Sequence, residues 1–376
     1  MNKIIFLLLT IPFFFIGCAH KEPLSKAQKK IVEKYMPDTP LKASTFKKLP
    51  AWNNEEHGKA LENFIYSCKS KKTQDLYSGL CQKANEVNDP KLFFEKEFRP
   101  FTITANGEKK EGLLTGYYEP QLHGSRVKTE RFKYPVYATP EDLIIVDLDE
   151  VYPELKHLRL RGKLFGNRLV PYDTREDIDE NTIAAEVICY VDSKIDLFFL
   201  EVQGSGRVLL DDGTTIFVAY HNQNGHKYTS IGKYLIKIGA LTLEEVSLQS
   251  IKKWLLENPS RVDEVLNQND SVVYFKEDDN PASGSLGLCL NPKRSIAVDR
   301  KYIPLGAMLY LDSKVDGDAI SQIVLAQDTG GAIKGSLRAD LFLGHGKEAM
   351  NIAGKLKSPL KMWVLLPRQD ESDSDE

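Results

Sequence analysis

Short apolar runs separated by turn residues dominate the chain, and they predict strands. Such runs lie at 113–120, 135–138, 143–148, 169–173, 182–191 and 197–202. Those at 207–210 and 214–220 flank Asp211-Asp212-Gly213, a turn that predicts a hairpin. Strands return at 272–275, 295–298, 307–311, 322–327 and 362–366. Helical spacing is rarer. It predicts helices at 26–35, at 55–68 with Ala60, Leu61, Phe64 and Ile65 on one face, and at 91–98. The last follows Asp89-Pro90, a cap and a first-turn proline, and Arg99-Pro100-Phe101 stops it. A helical zone covers 231–238, closing on Gly239, then 248–256 behind a capping signature at Thr242 and Glu245, then 260–266. Short strands with regular turns predict a mainly β architecture with some helices, a barrel or a sandwich.

The amino terminus has a different pattern. Met1-Asn2-Lys3 precedes an apolar run of 13 residues at 4–16, too short for a transmembrane helix but suited to a signal. The run ends at Phe15-Ile16-Gly17-Cys18, which resembles a bacterial lipobox. That resemblance implies a signal peptide over 1–18, lipidation of Cys18 and, with Ala19 next, the periplasmic face of a Gram-negative outer membrane. Residues 19–44 read as a tether, and the acidic tail 368–376 as disordered. The remaining length allows two domains. A net charge of -3 gives no sign of a nucleic-acid partner. Of five cysteines, Cys68 and Cys81 are close enough in an exported chain to allow a disulfide. Cys189 and Cys289 sit in apolar runs and read as buried thiols.

The candidate chemistry concentrates in VLAQDTGGAIKGSLRADLFLGHG, residues 324–346. A strand end carries Gln327 and Asp328, Gly330 and Gly331 offer a tight turn, and a second acid follows at Asp340. Burying an acid costs free energy unless it is paired or used, so two acids in an apolar setting mark a candidate site. The plainer alternative is that both are turn and cap residues. No phosphate-loop motif, nucleophile elbow or zinc spacing is present, so no cofactor or metal is expected. Asp328-Thr329-Gly330 spells an aspartic-protease triplet, but the second copy that such an enzyme needs is missing. Glycoside chemistry fits better. Tyr117, Tyr118, Gln203, Ser205, Tyr220, Asn222, Asn224 and Tyr228 supply the neutral donors, acceptors and flat faces that suit a polysaccharide, although core packing is the ordinary fate of a tyrosine.

Six segments carry a specific resemblance: TGYYEP at 115–120, YPVYATPEDLI at 134–144, FFLEVQGSGRVLLDDG at 198–213, NGHKYTSIGKYLI at 224–236, RSIAVDRKYIPLGA at 294–307 and AQDTGGAIKGSLRADLFLGHG at 326–346. In this order they resemble the membrane-bound lytic murein transglycosylase A family. The resemblance implies a discontinuous double-psi β-barrel from 45–120 and 273–367, an inserted β domain at 121–272, and a substrate groove between them. It implies non-hydrolytic cleavage of the MurNAc–GlcNAc β-1,4 bond of peptidoglycan, leaving 1,6-anhydro ends. Asp340 then matches the catalytic acid, Asp328 its neighbour and Asp299 a supporting third aspartate. Thr115, Tyr117, Tyr118, Gln203, Gly204, Ser205, Gly206, Asn224 and Tyr228 would contact glycan. Two rivals remain: an inverting polysaccharide hydrolase with Asp328 as base, and a non-catalytic peptidoglycan-binding lipoprotein.

Overall fold

A computed structural model describes residues 24–105, 109–155, 158–181 and 183–368. The expected signal, Cys18 and nearly all of the acidic tail lie outside the described residues. Helix α1 (Lys26–Tyr35) begins at a capping box in which Ser25 and Gln28 exchange hydrogen bonds, and the Gln28 amide also donates to the Pro367 carbonyl. Strand β1 (Leu41–Ala43) pairs with β2 (Phe98–Ile103). The stretch at Arg99-Pro100-Phe101 therefore does more than stop a helix.

Between these strands lie α2 (His57–Ser67), α3 (Lys71–Lys83) and α4 (Pro90–Glu97). The Asp89 carboxylate caps α4 by accepting from the Leu92 N–H. Phe64, Tyr77, Phe93 and Phe98 pack edge on face beneath them. Cys68 and Cys81 form a disulfide from the end of α2 to α3.

After β3 (Gly112–Glu119) the chain leaves for a second unit. It contains β4 (Gln121–Ser125), β5 (Tyr134–Tyr137), β6 (Ile144–Ile145), β7 (Arg161–Phe165), β8 (Arg168–Val170), α5 (Arg175–Glu180) and β9 (Val187–Val191). Then come α6 (Lys194–Gln203), β10 (Ser205–Leu210), β11 (Thr215–Gln223), α7 (Ile231–Lys237), α8 (Leu248–Glu257), α9 (Val262–Leu266) and β12 (Val273–Asp278). Six of these strands form a sheet in the order β12-β11-β10-β4-β9-β5, and a bridge from Ala138 to Phe275 draws its two edges together. The β10–β11 hairpin turns at Gly213, at φ 86°, as expected.

The apolar run 197–202 does not form the expected strand; it lies within α6. Ser193 caps this helix, Gly204 closes it in the left-handed conformation, and Ile195, Phe198 and Phe199 share one apolar cluster. A nearly continuous apolar run masks the helical spacing of this segment, because periodicity alone does not separate a buried helix from a buried strand. The run 143–148 shrinks to the two exposed residues of β6.

The chain then completes the first unit with β13 (Ser295–Val298), β14 (Met308–Val315), β15 (Asp318–Asp328), β16 (Arg338–His345), α10 (Gly346–Ala353) and β17 (Lys357–Pro367). Strands β17, β14, β15, β13, β16 and β3 follow one another, and β3 pairs back with β17. The result is a closed six-stranded barrel. Two of its pairings, β13 with β15 and β16 with β3, are parallel. Leu309, Leu311, Val324, Met362 and Val364 share one face of this sheet, all essentially buried.

The disulfide closes a loop of sequence separation 13. Replacing both Cys68 and Cys81 by Ala should cost about 3 kcal/mol, the chain-entropy value for a loop of that size. The urea unfolding midpoint, measured without reductant, checks this.

Candidate active site

The four-residue strand β13 positions both candidate acids. It lies between β15 and β16, and the small, buried Ala297 stands in register with Asp328 on one side and Asp340 on the other. A register shift between Ile296 and Ala297 brings the end of β15 level with the middle of β16. On the far side of β16, Asp340 faces Thr115 and Phe342 faces Tyr117. The Tyr117 and Phe342 rings pack with centroids 5.3 Å apart, forming an apolar wall beside the two carboxyls.

The two acids have different partners. Asp328 Oδ1 accepts from the Ser285 N–H and hydroxyl, both at 2.9 Å, and from the Thr329 N–H at 2.8 Å. Its Oδ2 accepts from the Tyr117 hydroxyl at 3.0 Å. Asp340 Oδ1 accepts from the Thr115 hydroxyl at 2.5 Å, while Oδ2 has no hydrogen bond among the described residues. Burial pushes both carboxyls above their usual range. Donated hydrogen bonds pull Asp328 back down. For Asp340 the opposing effects are the Thr115 hydrogen bond and the Arg338 charge, with the Asp328 charge pushing upward again. Burial and the two acids hold the Tyr117 hydroxyl well above its ordinary pKa, so it remains a donor.

Other expected site residues play supporting parts. Asp299, just past β13, accepts from the Gly335 N–H at 2.8 Å and so pins the loop that separates the two acids. Gln327 turns inward: it donates to Ser67 and accepts from Ser295, joining α2 to the ends of β13 and β15. Gly330 and Gly331 follow Asp328 without a positive φ at either residue. The glycine that the site does require is Gly284, where an added Cβ would stand 2.5 Å from the Gln327 carbonyl oxygen. Its absence lets the linker lie against the end of β15 and deliver Ser285 to Asp328.

Gln203, last residue of α6, accepts from the Tyr118 N–H at 3.1 Å, and its amide NH2 has no hydrogen bond among the described residues. Gly204 is the cap of that helix, and Gly206 fits closely under Leu200 and the Pro120 carbonyl. Ser205 and Tyr118 are buried. Asn224 is saturated, donating to the Asp173 and Asp270 carbonyls and accepting from the Val272 N–H, so it holds the second sheet together. Tyr228 is exposed. A groove of about 880 Å³ is lined by Thr115, Gly116, Tyr118 and Gln203 together with segments 243–248 and 353–357. It reaches Thr115 but not the carboxyls themselves. Among the described residues no His, Cys, Asp and Glu cluster could hold a metal.

Residues 113–276 match the family model described as the MltA specific insert domain, and 294–366 match the 3D domain. A relative from Vibrio cholerae, named membrane-bound lytic murein transglycosylase A, is 29% identical over 97% of this chain and 95% of its own. The crystal structure of MltA from Neisseria gonorrhoeae aligns with a TM-score of 0.75 at 34% identity, covering 89% of this chain and 96% of that one. The chain belongs to the membrane-bound lytic murein transglycosylase A family. MltA from E. coli with bound chitohexaose aligns at TM-score 0.65 and 25% identity, covering 88% of this chain and 93% of that one.

Within this MltA fold, the sequence reading missed three residues that touch the site. Ser285 holds Asp328, Arg338 donates to Thr115 at 2.7 Å, and Arg159 of the second unit reaches the Thr329 hydroxyl at 3.4 Å. Only Arg338 left a sequence signal, since two residues before Asp340 on a strand means the same face.

The raised carboxyls have a stability consequence. A pKa higher in the folded than in the unfolded state means that the folded chain holds more protons between the two values. Stability is therefore fully present below the unfolded carboxyl value and falls as pH rises through the raised one, by about 1.4 kcal/mol for each pKa unit. Asp340→Asn removes its share of that loss. The variant should melt above the wild type at pH 7 to 8, and the gap should close in acid. Melting temperatures across pH, with equal unfolding of both proteins at every pH, would contradict the assignment.

Proposed function

We propose that this chain is a lytic transglycosylase of peptidoglycan, cleaving the MurNAc–GlcNAc β-1,4 bond without water and leaving a 1,6-anhydro-MurNAc end. Asp340 is its single acid and base. The observation that carries this reading is the unequal occupation of the two carboxyls. All four hydrogen bonds to Asp328 come from Tyr117, Ser285 and Thr329, whereas Asp340 keeps one oxygen without a protein partner among the described residues. An inverting hydrolase needs a second carboxylate to activate water, and Asp328 is poorly placed to do so with both oxygens engaged. A binding protein with no chemistry gains nothing from the cost of a half-buried acid.

The steps follow from one titrating group. Neutral Asp340 donates its proton to the departing O4 as the glycosidic bond breaks. The carboxylate then takes the proton of the MurNAc 6-hydroxyl, which attacks C1 of the same sugar. The nucleophile is already tethered, so much of the entropic barrier of a bimolecular attack is absent. Tyr117 and Asp328 hold charge and shape beside Asp340, and Asp299 holds their loop. The Gln203 amide NH2 and the Tyr228 ring offer polar and flat contacts for a glycan. The bound chitohexaose of the E. coli relative supports a polysaccharide in the groove. For the anchor we propose lipidated Cys18 at the outer membrane. Among the described residues no helix is long and apolar enough to cross a membrane, and the relatives are named membrane-bound.

Mass spectrometry of digested sacculi tests the reaction, with anhydro ends expected and reducing ends counting for the hydrolase. Asp340→Asn should lower turnover by ~10²–10⁴-fold with glycan binding retained. Wild-type turnover should fall as pH rises through the raised pKa of Asp340, since only the neutral acid starts the reaction. The anchor has a separate test: Cys18→Ser should move the protein from the membrane pellet to the soluble periplasm. Continued pelleting after a salt wash would count against lipidation.

A further inference from the structure

Arg338 stands two residues before Asp340 on β16, on the same face of the strand. Its guanidinium reaches the acid through an intermediary. Nη2 donates to Thr115 Oγ1 at 2.7 Å. Nη1 donates to the Ala339 carbonyl and lies 3.5 Å from the Leu113 carbonyl, so β16 and β3 both hold the group in place. Arginine has donors and no acceptor. The Thr115 oxygen therefore accepts from Arg338, and its one proton points to the one acceptor it meets among the described residues, Asp340 Oδ1 at 2.5 Å.

This arrangement fixes more than orientation. A neutral carboxyl has one O–H and one carbonyl oxygen. With Thr115 donating to Oδ1 in both charge states, Oδ1 remains an acceptor, and the proton sits on Oδ2. We propose that Arg338 and Thr115 are positioning residues that confine the transferable proton to Asp340 Oδ2, the oxygen without a protein partner. The proposal rests on the reading of Asp340 as the acid. It turns a residue expected to contact glycan, Thr115, into part of the proton machinery, and it adds Arg338.

The surrounding charges leave these two as the groups that oppose burial at Asp340. On β3, Tyr117 is neutral and donates to Asp328, and Glu119 is paired with Arg207. On β15 stands Asp328, and beyond β13 Asp299, which accepts from backbone N–H groups. On β17, Lys357 is in register with Thr115 and exposed; on α10, Lys347 and Glu348 are exposed, as is His345 at the end of β16. Burial drives the Asp340 pKa up, Thr115 and then Arg338 bring it down, and Asp328 adds a smaller rise. Removing Thr115 or Arg338 therefore moves the Asp340 titration to higher pH.

The test uses Thr115→Val, Thr115→Ser, Arg338→Gln and Arg338→Lys in the full-length protein. Two readouts are taken: kcat and KM on isolated sacculi across pH, and the Asp340 carboxyl titration followed by carbon-13 NMR with Asp340→Asn as the assignment control. Thr115→Val and Arg338→Gln should lower kcat by ~10–100-fold, the lower part of the range for proton-transfer groups. KM should stay near the wild-type value, and the alkaline limb and NMR titration should both shift to higher pH. Thr115→Ser, which restores the hydroxyl, should return to wild-type behaviour, and Arg338→Lys should fall between. Thr115→Val is nearly isosteric and keeps the test available if Arg338→Gln fails to fold. An unshifted titration in Thr115→Val, or wild-type kcat, overturns the positioning role while leaving Asp340 as the acid. A fully active Asp340→Asn overturns both.

Discussion

The site depends on strand β13, whose four residues must lie between β15 and β16 for the two acids to meet across Ala297. So short a strand contributes little pairing of its own, and it is held at its start by side chains. Arg294 forms a buried ion pair with Glu55 and donates to the Ile323 carbonyl at 2.9 Å. Ser295 donates to Gln327, which donates onward to Ser67. These contacts tie β13 to α2 and to β15 together. Burial raises the Glu55 pKa and Arg294 opposes it, so neither charge is left alone. A buried charge that loses its partner typically costs ~3–5 kcal/mol. The N-terminal helices thereby set the register on which the acids rely.

The same barrel gives its two acids opposite treatment. Asp328 sits at a strand end, where backbone N–H groups and hydroxyls from the linker and from β3 converge on it. Asp340 sits in mid-strand, where its neighbours' backbone groups are committed to pairing and one hydroxyl reaches it. Donated hydrogen bonds favour the charged form, and burial favours the neutral one. A strand end and a strand middle therefore separate a carboxyl with both oxygens engaged from one that keeps an oxygen without a partner among the described residues, with no difference in residue type.

This distinction was out of reach of the sequence, although the two acids were not. The barrel strands 295–298, 307–311, 322–327 and 362–366 were legible because their apolar runs are bounded by turns. So was the 207–220 hairpin, through its Asp-Asp-Gly turn. Helix α6 was lost because its apolar run hides a helical period; α3 starts behind Ser70 and α10 behind His345 with no side-chain cap, and α3 is interrupted at Ser78, where φ is 30°. Ser285 lies 43 residues before Asp328 in sequence, and only the linker fold that Gly284 permits brings them together. Arg338 was visible as a neighbour of Asp340, but its link to Thr115 requires the parallel register of β16 with β3.

Strand β3 has a double role that explains where the second unit is inserted. Its middle faces the acids through Thr115 and Tyr117. Its end carries the junction with the second unit: the Tyr118 N–H donates to Gln203, and the buried Glu119 pairs with Arg207 and accepts from the Ala282 N–H at 3.1 Å. Glu119 thus binds the outgoing strand, the inserted sheet and the returning linker at one point. The returning linker is the segment that delivers Ser285 to Asp328. Inserting the unit directly after Glu119 lets a single buried carboxylate couple the position of β3 to the hydrogen bonding of the acid pair, with no contact between the inserted sheet and Asp340 required.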